Sequence, residues 1–342
     1  MMDSSRRATV PHPRRDPTRQ SGATSIAGYE AKIGSSRNLL FLFLVIVSVL
    51  VFWNPLRTLV DYSLRGGHEF DKYSHTILIP FMSIVLGFLE RRRIFASVQY
   101  GLRLGVGLLL LGLGLSFSAG WAVNQLGAEN SLAVKILALV IFWIAGFILC
   151  YGTPAFRAGI FTLLFLLLTV PIPGSLLDKP LVAVQYGSTE VCSLIFTLAG
   201  VPFLQNGFVF SLPAITIEVA RECSGIHSTL ALFIVSLLAG HFFLPPVWKK
   251  VVLLLSIIPT VCLSNGLRIA GLTLLAAYVD PGFLYGNLHR EGGIGFFLVA
   301  VVILYTVLHL LRRGRGARRI KETPGEAADH GGPSHIVGPQ LQ

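Results

Sequence analysis

The sequence predicts an all-α polytopic membrane protein with about eight transmembrane helices, a small extracytoplasmic hairpin and interfacial helix before the sixth span, and both termini in the cytoplasm. Three observations carry that expectation. Of 342 residues, 53% are hydrophobic and 13% charged, against roughly 25% charged in a soluble domain. The mean hydropathy is +0.69. The apolar residues come in runs of about 15 to 25, the length that a hydrocarbon core of ~30 Å requires. These facts exclude an ordinary soluble enzyme, a disordered chain and a coiled coil.

Charged punctuation places the spans. Residues 1–37 are polar and basic, with Arg6, Arg7, Arg14, Arg15, Arg19, Lys32 and Arg37, and are expected to form a disordered cytoplasmic arm. The membrane domain is expected over 38–312 and a second disordered tail over 313–342. Spans are expected at about 39–60, 75–90, 102–120, 131–151, 158–172, 224–244, 251–278 and 290–311. The run after the arm is too long for a signal-peptide core and lacks a small-residue cleavage site.

The stretch 174–222 reads differently. Residues 181–200 are only mildly apolar and carry Gln185, Ser188, Thr189 and Glu190. A spanning helix would have to hide these, so an interfacial or re-entrant helix is expected. Residues 203–219 alternate as strands do, with Asn206-Gly207 as a two-residue turn. An open hairpin leaves unpaired backbone groups and so belongs in water or against protein rather than in lipid.

The net charge is +11, from 28 Lys and Arg against 17 Asp and Glu. With eight spans, 20 of the 28 basic residues fall on the side of the termini, as the positive-inside rule demands. That distribution, and the lack of any nucleic-acid-binding fold, argues against nucleic acid as a partner. The four cysteines, Cys150, Cys192, Cys223 and Cys262, form no CxxC. Neither a disulfide framework nor a thiolate metal cluster is expected.

Three reactive side chains arrive at one depth. Cys223 starts the sixth span on its outer side. Arg268 lies 18 residues beyond Lys250, a helical rise of ~27 Å that brings it close to the outer surface. His289 lies 23 residues before Arg312, ~34 Å of helix. A thiol at a helix N-terminus, beside a guanidinium, is poised to ionise. An imidazole can take and return its proton, as in Cys–His nucleophilic catalysis. A guanidinium can hydrogen-bond an oxyanion or a carboxylate. Each has a plainer role as well: a packed thiol, a snorkelling arginine, a solvated loop histidine.

The neighbourhoods sharpen the choice. Glu222-Cys223-Ser224-Gly225-Ile226, Asn265-Gly266-Leu267-Arg268 and the His of Leu288-His289-Arg290-Glu291-Gly292-Gly293 resemble the three signature blocks of the exosortase/archaeosortase family. So do Tyr73-Ser74-His75, Val170-Pro171-Ile172-Pro173-Gly174, and the stretch from Leu212-Pro213 to Ala220. The resemblance covers roughly residues 40–311.

It implies a polytopic membrane cysteine transpeptidase in which Cys223 is the nucleophile, Arg268 stabilises the transition state and His289 is the general acid/base, with no cofactor and no metal. The implied partners are C-terminal sorting signals of exported proteins, of the Pro-Glu-Pro (PEP-CTERM) kind. Each has a short motif with Pro, a transmembrane helix and a basic end. The implied setting is the bacterial cytoplasmic membrane, site facing the periplasm, in an exopolysaccharide or surface-protein system. The acceptor is left open among water, a lipid amine and another amine. Arg221-Glu222 departs from the acidic-residue-then-Ala that many members carry before the Cys.

The competing reading is a transporter or polysaccharide-export component without catalysis, though no internal repeat marks one. A metalloprotease lacks its HExxH and a rhomboid-like protease its GxSxG. A thiol oxidoreductase would need a paired cysteine, for which Cys192 is the nearest candidate to Cys223. The topology predicts that reporter fusions after residues 95 and 320 read as cytoplasmic and fusions near 68, 208 and 285 as external. A cytoplasmic readout at 208 would overturn the placement of the site.

Overall fold

Proline decides where many of these apolar runs stop or bend. The computed structural model describes residues 36–64, 73, 75–121, 123–220, 226–280, 282 and 293–313. It divides into two compact units, with the boundary between residues 171 and 172.

In the first unit, α1 (Ser36–Val51) and α2 (Trp53–Leu64) meet at an angle of 73°, where one straight span was expected. Pro55 has no N–H to offer the Val51 carbonyl and its ring crowds that turn. α3 (Leu78–Leu89) and the single turn α4 (Arg91–Ile94) follow. α5 (Leu102–Trp121) then packs along α6 (Val123–Ala158). α6 is interrupted at Gly127 and Gly152, where φ is 76° and 84°. Gly152 is obligatory on two counts: its φ is left-handed, and the Gln99 carbonyl occupies the place a Cβ would take. α7 (Ile160–Phe165) runs into a 3₁₀ turn, Leu166–Thr169, and stops ahead of Pro171.

The core of this unit is Val140, Ile144, Ile148 and Cys150 of α6 against Ile94 and Leu163. Two aromatic handles tie α1 to α6. The Tyr151 hydroxyl donates to Asn38 Oδ1 at 2.8 Å, and Trp143 Nε1 donates to Ser48 Oγ at 2.8 Å. Tyr73, of the Tyr-Ser-His block, is 2% exposed, and its carbonyl accepts from the Ser63 hydroxyl at 2.9 Å.

In the second unit, α8 (Gly174–Leu198) leads to a three-stranded antiparallel sheet, β1 (Leu204–Asn206), β2 (Val209–Ser211) and β3 (Thr216–Glu218), in the order β1-β2-β3. Asn206 pairs with Val209, so the tight turn is Gly207-Phe208, one residue later than expected. Gly207 supplies its φ of 62°. The expected hairpin is thus two strands of a meander whose third strand is β3.

α9 (Ile226–Phe243), α10 (Val247–Leu255), α11 (Ile257–Tyr278) and α12 (Gly293–Arg313) complete the unit. The break at Ser256 lies one turn before Pro259, which cannot donate to the Leu255 carbonyl. One cleft takes residues from the starts of α9 and α12 and another takes residues from their ends. These two helices therefore run in the same direction.

Among the described residues, five helices are long and apolar enough to cross a membrane, or six if the bent pair α1–α2 is one span. The expected spans 75–90 and 158–172 shorten to helices of 12 and 10 residues, which rise only ~18 and ~15 Å. Leu176–Leu198, expected to be interfacial, meets the length and hydropathy of a span instead. Among its polar side chains, Gln185, Ser188 and Thr189 are buried in the protein at 3%, 0% and 2% exposed, whereas Glu190 is exposed. On the outside stand Leu39, Phe81, Phe117 and Leu298, all more than half exposed, a surface that suits hydrocarbon rather than water.

The sheet is held by aromatic packing. Phe210 of β2 is fully buried, with ring centroids 5.4 Å from Phe196 of α8 and 5.6 Å from Phe203. Phe210→Ala would leave a void costing about 3–5 kcal/mol. The expected result is a clear drop in the melting temperature of the detergent-solubilised protein; an unchanged melting temperature would show that the sheet does not depend on this contact.

Candidate active site

α11 carries the Asn265-Gly266-Leu267-Arg268 block, and successive residues of it face different neighbours. Asn265 Nδ2 donates to Ser188 Oγ on α8 at 3.0 Å. The Gly266 carbonyl accepts from the Cys192 thiol of α8 at 3.4 Å. Gly266 also sets how closely the two helices approach: a Cβ there would stand 2.6 Å from Val191 Cβ and 2.9 Å from the Ser188 carbonyl. One turn earlier Gly187 answers from α8, with the Cys262 sulfur where its own Cβ would be. Two polar side chains and two glycines thus lock α8 against α11.

That contact turns the rest of the block the other way. Ser264 and Arg268 lie four residues apart, on one face of α11. The Ser264 hydroxyl donates to the Phe296 carbonyl of α12 at 2.6 Å, which fixes the start of α12 beside α11. Arg268, half-buried, lines a cleft with Ser228 of α9 and Phe296 of α12. The cleft has about 30 Å³ of free space, room for one or two waters.

Cys223 and His289 lie outside the described residues, as do most of the blocks around them. Their flanks do not. Ser228 follows Cys223 by five positions and Phe296 follows His289 by seven, and both line the cleft of Arg268. The middle block's arginine therefore shares a cleft with residues that lie two positions after the first block and three after the last. Upstream of Cys223, the sheet and α8 hold the chain. The Val219 N–H donates to the Phe208 carbonyl at 2.9 Å, and Gln185 Nε2 donates to the Val219 carbonyl at 2.6 Å.

Gln185, Ser188 and Ser264 make the hydrogen bonds that join α8, α11, α12 and the end of the sheet, partners that the sequence alone did not give them. The signal was present for α8: Gln185, Ser188 and Thr189 recur at helical spacing, as one polar stripe would. Cys150, Cys192 and Cys262 are buried free thiols. Among the described residues, no three His, Cys, Asp or Glu side chains gather as a metal site would require.

Apolar helices packed around a small polar cleft, with an arginine at its wall, define a multi-pass membrane protein. Residues 68–306 match the family model of the transmembrane exosortases, and the chain belongs to that family. Its role is, in general terms, that of a membrane transpeptidase in protein sorting. No curated protein and no solved structure matches the chain.

The close crossing of α8 and α11 predicts that Gly266→Ala is destabilising, by about 1–3 kcal/mol for overpacking. Gly271→Ala, on the same helix with nothing within 4 Å of its Cβ position, serves as the control and should melt at or above the parent temperature. Equal melting of the two variants would contradict the tight crossing.

Proposed function

We propose that the protein is a cysteine transpeptidase that cleaves C-terminal sorting signals of exported proteins at the outer face of the cytoplasmic membrane. The observation that carries this reading is the shared cleft: Arg268 lines it together with Ser228 and Phe296, the near neighbours in sequence of Cys223 and His289, within a chain of the exosortase family. The proposed substrates are signals of the PEP-CTERM kind. The proposed setting is an exopolysaccharide or surface-protein system of the bacterial inner membrane.

In the proposed chemistry, the Cys223 thiolate attacks the scissile carbonyl carbon and the carbonyl electrons move onto oxygen. Arg268 donates hydrogen bonds to that oxyanion. As the carbonyl re-forms, the peptide C–N bond breaks and His289 hands its proton to the departing amine. A thioester to Cys223 remains. An acceptor amine or water, losing its proton to His289, then attacks the thioester and expels the thiolate. Residues 1–37 and 313–342 are proposed to be arms outside this machinery.

Coexpression with a tagged protein ending in such a signal tests the reading. Cys223→Ala should abolish processing at unchanged membrane level, while Cys150→Ala and Cys262→Ala leave it intact. Arg268→Lys keeps the charge but loses the planar fork and should slow processing by ~100-fold or more. His289→Gln should stall acylation or trap a thioester on Cys223, visible by mass spectrometry. Normal processing by Cys223→Ala would end the proposal.

A further inference from the structure

The first unit holds a second cavity, unrelated in sequence to the three blocks. It lies between α1, α3, α6 and α7 and has a volume of about 460 Å³, within the ~300–1,000 Å³ of small-molecule sites. Phe41, Trp143 and Leu163 are among its apolar walls. Leu42 and Ile84, both more than half exposed, stand at its side, so it opens laterally toward the surroundings of the helices.

Two hydroxyls in its wall depart from a pattern that most helical hydroxyls of the described residues follow; Thr169, outside the cavity lining, departs from it too. Ser63, Thr189, Ser236, Thr260, Thr273 and Thr306 each bond the carbonyl four residues back. Ser83 and Thr162 line the cavity, are 5% and 6% exposed, and have no hydrogen-bond partner. A buried polar group without a partner is costly, and here an occupant with acceptor oxygens would satisfy both.

One end of the cavity is cationic. Ile94 and Phe95 line it directly after the exposed Arg91, Arg92 and Arg93. The Ile94 side chain reaches to 3.1 Å from the Cβ position of Gly159, two residues from the exposed Arg157. Arg37, one turn before the lining residue Phe41, has a buried Nε with no hydrogen-bond partner. Phe41 and Phe95 both pack on Tyr151, with ring centroids at 5.6 and 5.0 Å, which places the start of α1 at this same end. Glu90 is the acidic residue among these cations.

We infer that this cavity binds one anionic phospholipid, with an acyl chain between α1, α3 and α7, ester oxygens toward the unpartnered hydroxyls and the phosphate at the arginines. Basic pockets between membrane helices suit anionic headgroups. A membrane helix of a protein substrate fits poorly: a cylinder ~10 Å across and ~30 Å long far exceeds the space, and a helix with a basic end would be repelled.

Native mass spectrometry of the full-length protein, extracted in detergent and given phosphatidylglycerol, phosphatidylcholine or inorganic phosphate, tests this. One phosphatidylglycerol should be retained in clear preference to phosphatidylcholine, and inorganic phosphate alone should not be retained. Arg92→Gln and Arg93→Gln should each lower that preference about fivefold. Gly87→Phe, at a lining position whose Cβ direction meets only the Thr162 methyl at 3.7 Å, should fill the cavity and abolish retention. If that variant does not fold, Ser83→Ala combined with Thr162→Val should weaken retention at nearly unchanged volume. Equal retention of the two lipids, or unchanged retention in both the filled and the hydroxyl-less variants, would overturn the inference.

Discussion

A polar group placed among apolar helices must find its hydrogen-bond partner inside the protein, and the second unit is organised by that requirement. α8 carries a stripe of Gln185, Ser188 and Thr189 that an apolar medium cannot solvate. The stripe sets the rotation of α8, because only one orientation offers Ser188 to Asn265 and Gln185 to the Val219 carbonyl. Once Asn265 is engaged, Ser264 and Arg268 can only face α9 and α12. The aim of Arg268 is therefore a by-product of how its neighbours are satisfied, and the glycines at 187 and 266 let the helices approach closely enough for those bonds to form.

The first unit obeys the same requirement with different groups. Trp143 and Tyr151 present an apolar body to the α6 core and a polar tip to Ser48 and Asn38 of α1, the use to which buried aromatics with a polar handle are suited. Most helical hydroxyls spend their proton on their own helix. Against that background an unspent buried hydroxyl is conspicuous, and two of the three among the described residues, Ser83 and Thr162, line one cavity.

The sequence made the membrane class and the strand character of 203–219 legible, because each rests on composition or on a regular period. Arg268 was placed from helical rise alone, and the structure puts it where the starts of α9 and α12 meet. Other features escaped. Residues 181–200 look too polar to cross a membrane until one sees that Gln185, Ser188 and Thr189 share one buried face of α8, met by Asn265 and the Val219 carbonyl, while Glu190 stays exposed. The bend after Val51 and the interruption at Ser256 follow from Pro55 and Pro259, yet an apolar run counted for hydropathy does not register a missing N–H. The shortness of α3 and α7 is likewise invisible to a count, since turns and 3₁₀ geometry at their ends are built from equally apolar residues. Cys223 and His289 lie outside the described residues.

Lys249 of α10 is only 7% exposed, and its ammonium donates to the Leu311 carbonyl in the last turn of α12. This bond has a consequence for biogenesis. α10 leaves the ribosome some sixty residues ahead of its partner, so a buried-to-be ammonium must wait, hydrated or resting on the Trp248 ring, until the final helix has been made. The contact between α10 and α12 therefore forms only after the end of α12 has been made, and a chain that stopped short of Leu311 would leave the Lys249 ammonium without this carbonyl.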